Sequence, residues 1–509
     1  MTLLLGLDIG TTSVKAGVFD AAGRQIAAAG REYRLLHPAP DRAELDPETY
    51  WTAAIEAVRT ALATSGTDPA RVAAMAVSSQ GETVIAVDAT GRPLGPALVW
   101  LDNRATAEAR ALGDRFPDAL LYDRTGVPDM NPTWSAAKIL WWRNHEPALF
   151  ASAARFLLVE DFLLHRLTGR FVTDGSVACT SVLLDIRTGT WWPPMLDAIG
   201  VDASRLPEIA VPGSVVGVLT ATAAEALGLP AGLPVVAGGM DQGAGAVGVG
   251  NTGPGVISES TGGALTVQAA VAEHGGDPSG QTPVYIHSAP GLYLYCPVCP
   301  TGGMALTWFR DALGAEEVAR AAREGGSAYD LLTALAATAP AGSDGVVMLP
   351  HLAGAFSPEY VPEARGVLYG LTLHHGRAHV SRAVLESVAF MLRRNVELLA
   401  SAGATAGEIR SHGGGARSAL WNQVKADVCG MPVLTMAGED AAVRGDAMLA
   451  GVATGVYADL AEAGRAMVAP GARFDPDPAN RAVYDDAYGT YIALFNALRP
   501  LFGAGAPTT

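Results

Sequence analysis

The chain opens with Leu3-Leu-Leu-Gly-Leu-Asp-Ile-Gly-Thr-Thr-Ser-Val-Lys15, in which two apolar runs flank a Gly-Thr-Thr turn. The pattern predicts two β-strands, Leu3–Ile9 and Val14–Phe19, joined as a hairpin. Backbone N–H groups and hydroxyls in such a turn can bind phosphate oxygens. Asp8, at the end of the first strand, could hold a hydrated Mg²⁺ beside those phosphates. The alternative is an ordinary hairpin in which Asp8 caps the turn.

A similar strand, turn and strand occur midway along the chain. Val256–Glu259 is typical of a strand, Ser260-Thr-Gly-Gly263 of a turn, and Ala264–Ala270 of a returning strand. The two halves therefore open alike, which favours an internal duplication. Because Gly/Thr turns join strands in many folds, the residues alone leave two unrelated hairpins equally open.

Composition excludes several classes of protein. The 509 residues predict two to four domains at about 100–200 residues each. Four cysteines are too few for a disulfide scaffold. A net charge of −16 disfavours a nucleic-acid or anionic-membrane surface. Lysine occurs only at Lys15, Lys138 and Lys425, never after glycine, which excludes a Gly-Lys phosphate loop.

Targeting signals are not expected in this sequence. The N-terminus lacks a basic region and a long apolar region, so it reads as a buried strand rather than a signal peptide. Apolar runs stay shorter than the ~18 residues that a membrane span requires. We therefore expect a soluble, cytoplasmic protein with no membrane or nucleic-acid partner.

Two glycine-rich stretches follow predicted strands. Gly413-Gly-Gly-Ala-Arg-Ser418 lies between the predicted strand Glu408–Ser411 and a predicted helix, so a nucleotide could approach the backbone closely there. The alternative is a tight strand-to-helix turn. Gly243-Ala-Gly-Ala-Val-Gly248 matches a GxGxxG spacing, but Gly238–Gln242 separates it from its strand, so a dinucleotide site is not expected.

Asp241 is the strongest candidate for acid–base chemistry. It follows the predicted strand Leu233–Gly239 and precedes a glycine-dense run, Gly243–Gly255, which suggests a flexible point at a mobile cleft. There it could accept a hydroxyl proton during attack on phosphorus; the alternative is a turn or cap aspartate. Other polar side chains at predicted strand ends could bind a polyhydroxylated ligand or simply be solvated: Gln80, Glu82, Asp102 and Arg104.

Two further motifs give little information about function. Cys296-Pro-Val-Cys299 has CxxC spacing, but no second cysteine pair or suitable histidine completes a zinc site. His375 and His379 are four residues apart but lack the glutamate of an HExxH motif. Neither motif predicts a function.

Taken together and in order, segments along nearly the whole chain resemble the FGGY carbohydrate kinases, which include xylulokinases and glycerol kinases. The most specific match is Gly366-Val-Leu-Tyr-Gly-Leu371, followed at the family's spacing by His379-Val-Ser-Arg-Ala-Val-Leu-Glu386. The other matching segments are Gly6–Lys15, Glu44–Pro47, Ser78–Glu82, Trp100–Arg104, Lys138–Trp142, Asp161–Leu163, Leu167–Gly169, Gly238–Gln242 and Gly413–Asn422.

The resemblance implies an α/β fold with two RNase H-like domains of the actin, sugar-kinase and heat-shock ATPase superfamily. A catalytic cleft would lie between a sugar-binding domain at residues 1–248 and an ATP-binding domain at 249–480. Residues 481–509 would form a closing helix and a tail. This superfamily binds phosphates with Gly/Thr hairpins, which agrees with the missing Gly-Lys loop. ATP and Mg²⁺ are the implied cofactors, and a homodimer is an expectation from the same resemblance.

The resemblance also implies a role for each matching residue. Asp241 would be the general base and Asp8 would organise Mg²⁺. Phosphates would be cradled by Gly10, Thr11 and Thr12 in the first domain and by Thr261 and Gly262 in the second. Adenosine would lie against Gly414, Gly415 and Asn422. The sugar would face Gln80, Glu82, Gln242 and Asp102.

The acceptor sugar is less clearly implied. Xylulokinases usually carry Met-His after the glutamine equivalent to Gln80, and glycerol kinases carry Arg-Glu, whereas this chain has Gly81-Glu82. Glu82 could accept hydrogen bonds from two vicinal hydroxyls, Gly81 would leave room for a longer substrate, and Thr133 replaces a glycerol-kinase aromatic. We expect a pentulose such as D-xylulose, with a four- or five-carbon polyol, glycerol or another ketose as alternatives.

Two points stay open at this stage. Asp446 departs from the family pattern, because small residues usually precede Ala447, and its role cannot be assigned from the sequence. A non-catalytic, ATP-binding member of the superfamily is the alternative from a different functional class. The acids facing the expected sugar favour the kinase, since an ATP-gated clamp does not need them.

Overall fold

Strands and helices alternate along most of the chain, as in α/β proteins. The computed structural model describes residues 2–275, 277, 279–438 and 440–503. The predicted closing helix is confirmed at Arg481–Phe502, whereas the tail from residue 504 onwards lies outside the described residues. No helix within the described ranges is both long and apolar enough to cross a membrane.

The strands fall into two series. The first series is β1 (Leu3–Ile9), β2 (Ser13–Asp20), β3 (Gln25–Glu32), β4 (Glu44–Leu45), β5 (Val72–Ser79), β6 (Ile85–Val87), β7 (Ala97–Leu98), β8 (Arg155–Leu157), β9 (Val172–Asp174), β10 (Leu184–Asp185), β11 (Thr190–Trp191), β12 (Glu208–Ala210), β13 (Val215–Val218) and β14 (Pro234–Met240). The second is β15 (Gly255–Thr261), β16 (Leu265–Val271), β17 (Val284–Ile286), β18 (Tyr293–Tyr295), β19 (Val298–Cys299), β20 (Val347–Leu349), β21 (Val367–Tyr369), β22 (Ala406–His412), β23 (Val433–Met436) and β24 (Pro470–Phe474).

The helices follow the same division. The first series is α1 (Pro47–Ser65), α2 (Thr106–Arg115), α3 (Asp118–Thr125), α4 (Ser135–His145), α5 (Pro147–Ser152), α6 (Val159–Thr168), α7 (Gly175–Ala178), α8 (Pro193–Ile199), α9 (Ala221–Leu227) and α10 (Asp241–Gly248). The second is α11 (Met304–Leu313), α12 (Ala315–Glu324), α13 (Ala328–Ala336), α14 (Arg377–Ser401), α15 (Ala419–Cys429), α16 (Ala441–Ala453), α17 (Leu460–Met467) and α18 (Arg481–Phe502).

Two large sheets share one plan. The first has the strand order β13-β14-β5-β1-β2-β3, and the second contains the path β24-β23-β22-β15-β16-β18. In both paths the directions alternate in the same way: antiparallel, parallel, parallel, antiparallel and antiparallel. Each half is thus built on an opening hairpin whose first strand pairs with a later parallel strand. The internal duplication predicted from the two Gly/Thr turns is confirmed at the level of topology.

Helix α1 shows why the sequence folds as it does locally. Asp46 caps its N-terminus by accepting from the N–H of Glu48 at 3.0 Å, and Pro47 occupies the first turn. Gly66 ends the helix in the left-handed conformation that glycine adopts at little cost. Its apolar face, including Tyr50, lies in the core beneath the first sheet.

Helices α10 and α16 cross between the two sheets. Glycines at the crossing allow the two helix backbones to approach each other closely. A Cβ atom added to Gly248 would lie 1.8 Å from the carbonyl oxygen of Ala441, and one added to Gly445 would lie 1.9 Å from that of Ala244. Only glycine allows backbones to approach this closely. The expectation of a flexible glycine run after Asp241 was therefore wrong, because these glycines form a close-packed helix crossing.

Helix α16 comes from the second half of the chain yet packs on the first sheet. Val443 and Met448 share a buried cluster with Leu4 of β1 and Val236 of β14. A Cβ on Gly6 of β1 would meet the carbonyl oxygen of Val443 at 1.9 Å. Helix α16 therefore connects the two halves of the chain by packing on the sheet of the first half. The domain boundaries at residues 248 and 480 stay a prediction.

Candidate active site

Three neighbouring parallel strands end at one edge of the first sheet. Asp8 of β1 pairs in register with Ser78 of β5, and Ser78 pairs with Gly239 of β14. The carboxyl ends of these strands therefore bring Asp8, the segment after Ser79, and Asp241 to the same edge. In open α/β sheets ligands bind beyond the carboxyl ends of the strands.

Asp241 is the first residue of α10 and is held by its own helix N-terminus. Its Oδ1 accepts a hydrogen bond from the N–H of Gln242 at 2.6 Å. Burial, together with the nearby carboxylates of Asp8 and Glu82, raises the pKa of Asp241 to about 8. Once ionised, a carboxylate of this pKa is a stronger base than an exposed aspartate.

Asp8 lies on the first hairpin and contacts β5. Its Oδ1 accepts from the hydroxyl of Ser78 at 3.1 Å. Burial raises the pKa of Asp8 to about 6, whereas the charge of Lys15 lowers it. The ammonium group of Lys15 is shared between Asp8 and Asp440, because its Nζ also lies 2.6 Å from a carboxylate oxygen of Asp440 at the start of α16.

The turn of the first hairpin is fixed by polar contacts from three directions. The carbonyl oxygen of Gly10 accepts from the hydroxyl of Tyr33 at 2.5 Å and from Nε2 of Gln80 at 3.3 Å. Thr11 Oγ1 accepts from the indole N–H of Trp100 at 2.9 Å. Thr12 at the tip is exposed. Gln80 thus shapes the turn, and its predicted contact with a sugar stays a prediction.

Glu82 is held in an unusual backbone conformation beside α4. Its φ of 57° lies in the left-handed region, which costs a non-glycine residue free energy. Its N–H donates to Thr180 Oγ1 at 3.0 Å, and its carbonyl oxygen accepts from Ser135 Oγ at 2.9 Å. Burial raises the pKa of Glu82 to about 7, against the opposing charge of Lys138. Several elements thus fix the position of one acid.

Gly81 does not leave the free space that the sequence suggested. A Cβ atom added there would lie 2.8 Å from Oγ1 and Cγ2 of Thr180. The side chain of Thr180 already fills the volume that a residue at position 81 would need. The expectation that Gly81 makes room for a longer substrate was wrong for this reason.

Lys138 is a site residue that the sequence reasoning did not single out. It is fully buried on α4, and its Nζ donates to the carbonyl oxygens of Thr133 and Glu82. Burial lowers the pKa of Lys138 to about 7, and Glu82 and Asp102 oppose this. A signal was present, since lysine is rarely fully buried without a partner and here stands in the run Ala136–Trp142.

Asp102 is fully buried and binds protein groups on both oxygens. Its carboxylate accepts from the N–H of Ala43 at 2.7 Å and from Nε of Arg104 at 2.8 Å. Arg104 also pairs with Glu44 at 2.5 Å. These contacts show Asp102 holding Arg104, and its predicted contact with a sugar stays a prediction.

Gln242 reaches across to the second sheet. Its Oε1 accepts from Nε2 of Gln268, on β16, at 2.8 Å. Gln268 in turn accepts from the Ser258 hydroxyl at 2.9 Å. The residue next to Asp241 therefore links the edge of the first sheet to the second hairpin.

The second hairpin has a different chemical character. Glu259 of β15 pairs with Lys425 of α15 at 2.6 Å, and both side chains are fully buried. The Thr261 hydroxyl donates to Glu259 at 2.7 Å and accepts from Lys425 at 3.0 Å. Gly262 beyond it is exposed, and a Cβ there would meet no described atom within 4 Å. Thr261 thus anchors the turn, while Gly262 leaves it open.

The glycine-rich segment after β22 packs directly on this second turn. Residues 414–417 form a short 3₁₀ helix, and a Cβ on Gly415 would lie 2.7 Å from Cβ of Thr261. A Cβ on Gly414 would lie 3.8 Å from the Thr261 carbonyl oxygen. Asn422 is buried and donates to the carbonyl oxygen of Ala416 at 2.7 Å. The structure therefore brings these three predicted nucleotide residues next to the second hairpin.

Two remaining motifs are explained by local contacts. Cys299 accepts from the amide of Asn395 at 3.2 Å, and both Cys296 and Cys299 are buried. Nε2 of His379 lies 3.3 Å from a carboxylate oxygen of Asp344. Because Nδ1 of His379 accepts from a backbone N–H, Nε2 carries the proton. That tautomer suits a hydrogen bond to Asp344 better than a metal.

Comparison with known proteins identifies the family. The model of the N-terminal domain of the FGGY family of carbohydrate kinases matches residues 3–248, and that of the C-terminal domain matches residues 273–454. The chain belongs to the FGGY family of carbohydrate kinases. The two-domain α/β fold of the actin, sugar-kinase and heat-shock ATPase superfamily is thereby confirmed.

Individual relatives differ in their named substrates. The chain is 30% identical over 501 residues to a xylulose kinase from Lactococcus lactis, covering 97% of each chain. It is 30% identical over 518 residues to an autoinducer-2 kinase from Klebsiella pneumoniae, covering 100% of this chain and 96% of the other. A crystal structure of xylulose kinase from Rhodospirillum rubrum has a TM-score of 0.90 and 33% identity, covering 98% and 100% of the two chains.

Proposed function

We propose that this carbohydrate kinase transfers the γ-phosphate of ATP to a terminal hydroxyl of a small sugar, best represented by a pentulose such as D-xylulose. The observation that carries the proposal is the position of Asp241. Its carboxyl group lies at the shared edge of β1, β5 and β14, beside Asp8 and Glu82, with a pKa raised to about 8. The second hairpin and the glycine-rich segment form the nucleotide side of the same cleft.

In this proposal Asp241 accepts the proton of the acceptor hydroxyl as its oxygen attacks the γ-phosphorus. The new O–P bond forms as the bond between the γ-phosphorus and the leaving oxygen of ADP breaks. Proton acceptance by a positioned side chain accelerates such steps by about 10²–10⁴-fold. Most of the remaining acceleration comes from positioning and charge stabilisation, as in other phosphoryl transfers.

The charge distribution of the first hairpin fits a divalent cation. Asp8, Glu82 and Asp241 are half-buried acids, and the charges of Asp8 and Glu82 act on Asp241. The ammonium of Lys15 is shared between Asp8 and Asp440. Carboxylate oxygens are the protein ligands that Mg²⁺ prefers. Asp8 would hold a hydrated Mg²⁺, which supplies charge neutralisation to the phosphates when it is bound.

For the nucleotide, exposed backbone supports the predicted contacts. Gly10, Thr11 and Thr12 present one turn and Gly262 the other, while Gly414 and Gly415 lie against Thr261. Phosphate oxygens would bind the two turns, and adenosine would lie on the glycine-rich segment. Asn422 would act by holding that segment through Ala416.

The acceptor is proposed from Glu82 and from the relatives. Glu82 has a fixed backbone and a half-buried carboxyl group near the charge of Lys138, which suits recognition of two hydroxyls. Relatives at about 30% identity are named xylulose kinase and autoinducer-2 kinase. A four- or five-carbon polyol is the second possibility for this pocket.

The direct test is acceptor-dependent release of ADP from Mg²⁺·ATP. The panel contains ketoses, aldoses, polyols and sugar acids, and Asp241→Ala serves as the inactive control. One acceptor that strongly stimulates ADP release by the unaltered chain, but not by Asp241→Ala, establishes the kinase activity and its substrate class. ADP release that ignores every acceptor, with ATP binding intact, contradicts the proposal and favours an ATP-binding protein.

A further inference from the structure

Asp446, the residue that departs from the family pattern, lies next to the first hairpin. It is fully buried on α16, and its Oδ2 is 2.9 Å from the hydroxyl oxygen of Ser78. The same hydroxyl oxygen is 3.1 Å from Oδ1 of Asp8. Ser78 therefore stands between two carboxyl groups, one from each half of the chain.

Glycines on two strands make space for Asp446. A Cβ atom on Gly238 of β14 would lie 2.3 Å from Oδ1 of Asp446. A Cβ on Gly6 of β1 would lie 3.1 Å from Cβ of Asp446. Neither strand could carry a larger residue at these positions while Asp446 keeps its place. The pocket for this carboxyl group is thus built by the neighbouring backbone.

The hydrogen-bond count fixes the direction of the contacts. A serine hydroxyl donates one proton and can accept others, so it cannot donate to both carboxylates. Both contacts are hydrogen bonds at the same time only if one of the two carboxyl groups carries a proton and donates to Ser78. Lys15 offsets part of the rise that burial gives the pKa of Asp8, whereas Asp446 is fully buried and faces the charge of Asp8. Asp446 then donates to Ser78, and Ser78 donates to Asp8.

The electrostatic surroundings agree with that direction. Burial and the charge of Asp8 raise the pKa of Asp446 well above its usual range, and backbone N–H groups of Leu7 and Ser78 offset this only in part. Glu160, another buried acid, also feels the charge of Asp446. A neutral, proton-bearing Asp446 relieves repulsion in a region crowded with acids.

We propose that Asp446 is a positioning residue for phosphoryl transfer: through Ser78 it orients the Asp8 carboxylate and ties that group to helix α16. The proposal rests on the function proposed above for Asp8. Because α16 also crosses α10, which begins at Asp241, the orientation of Asp8 depends on how the two halves pack. A serine free to rotate would lose this constraint.

The test compares Asp446→Asn with Asp446→Ala in the full chain. Asparagine keeps an N–H donor for Ser78 at the same position, whereas alanine removes it. We measure binding of Mn²⁺ to the protein with ADP, and the Mg²⁺ concentration that gives half-maximal activity. We expect alanine to weaken both about tenfold, as for loss of a hydrogen bond to a charged group. We expect asparagine to stay within about twofold of the unaltered chain, by the same reasoning.

A second pair of variants separates positioning from folding. Ser78→Ala should weaken Mn²⁺ binding as much as Asp446→Ala, and the double variant should weaken it no further, because both act through one hydroxyl. Infrared difference spectra between the unaltered chain and Asp446→Asn should show a protonated carboxyl band near neutral pH. Asparagine that weakens Mn²⁺ binding as much as alanine, additive single variants, or absence of the protonated band overturns the proposal.

These outcomes are distinct from a failure of the proposed function. The function fails if no acceptor stimulates ADP release by the unaltered chain. The role of Asp446 is decided by Mn²⁺ binding and the infrared band, neither of which requires a sugar. Equal Mn²⁺ binding by the unaltered chain and Asp446→Ala overturns the positioning role, whatever the acceptor panel shows.

Discussion

The two opening hairpins share a topology but handle buried charge in opposite ways. On the second hairpin, the carboxylate of Glu259 meets the ammonium of Lys425 at 2.6 Å, and both are fully buried. On the first, Asp8 lies near Asp241 and Glu82, and its cation Lys15 is shared with Asp440. One hairpin balances its charge internally, whereas the other leaves carboxylates in excess.

Under the proposed function, this difference divides the phosphoryl-transfer task between the two copies of the duplicated unit. A buried ion pair is largely structural, because removing either partner leaves an uncompensated charge. Excess carboxylates with raised pKa values are costly to keep and typical of sites that bind cations or move protons. We therefore assign chemistry to the first hairpin and scaffolding of the nucleotide to the second.

The largest expected effect comes from removing Asp241, the proposed base near the first hairpin. Asp241→Asn should lower kcat about 10²–10⁴-fold, because the acceptor hydroxyl loses its proton acceptor. Affinity for Mg²⁺·ATP, measured by calorimetry, should change only a few-fold. Asp311→Asn, at an exposed position, is the matched control. A variant that keeps a tenth or more of kcat would remove Asp241 from this role.

Breaking the ion pair of the second hairpin should act on stability instead. Lys425→Met leaves Glu259 buried without its cation, and the free energy of unfolding should fall by about 3–5 kcal/mol. Denaturant unfolding measures the loss. Combining it with Glu259→Gln should recover much of the stability, because no unpaired charge then remains. Equal stability of Lys425→Met and the unaltered chain would contradict the scaffold role.

A Glu82 variant tests whether the acids near the first hairpin also recognise the sugar. Glu82→Ala should raise KM for the acceptor about 10–100-fold, since buried hydrogen-bond partners discriminate strongly. KM for ATP should change much less, because the nucleotide lies toward the other hairpin. Steady-state kinetics with both substrates varied gives the two constants. A parallel rise in both would show that Glu82 is not specific to the sugar.

A separate expected effect is on the pH dependence of stability. The pKa of Asp241 is raised to about 8 in the folded chain, against about 4 for an unperturbed aspartate. The folded state therefore binds more protons, and its stability falls as pH rises through this interval. Asp241→Asn lacks this penalty, so its melting temperature relative to the unaltered chain should increase from pH 5 to pH 8.5. A difference independent of pH would contradict the raised pKa.

How much of this was predictable follows from the range of each interaction. Asp8 and Asp241 could be singled out as candidates because each acid lies at or just after the end of a predicted strand and precedes a turn, and their roles stay predictions. The two hairpins followed from the same local pattern, whereas their pairing with the parallel strands β5 and β22 was not predicted. By contrast, Thr180 fills the space beside Gly81 from nearly a hundred residues away. Tertiary contacts of that kind leave no local signal.

The glycines after Asp241 were likewise misinterpreted, because their packing partners are distant in sequence. Gly243–Gly248 looks flexible in sequence, but Gly248 and Gly445 form a helix crossing between segments about two hundred residues apart. Lys138 carried a local signal, a lysine in an apolar run, yet its partner Glu82 became evident only in three dimensions. Asp446 was recognised as unusual, and its contact with Ser78 supplied the physical reason.

The most direct test of the contrast is a Mg²⁺ titration of activity in Asp8→Asn and Glu259→Gln. Both variants remove one negative charge from the first strand of a hairpin. The account predicts that Asp8→Asn raises the half-saturating Mg²⁺ concentration about tenfold or more without lowering the melting temperature, because a carboxylate ligand is lost. It predicts that Glu259→Gln leaves the Mg²⁺ requirement unchanged and lowers the melting temperature, because Lys425 stays buried alone. The reverse pattern, or the same change in both variants, would contradict it.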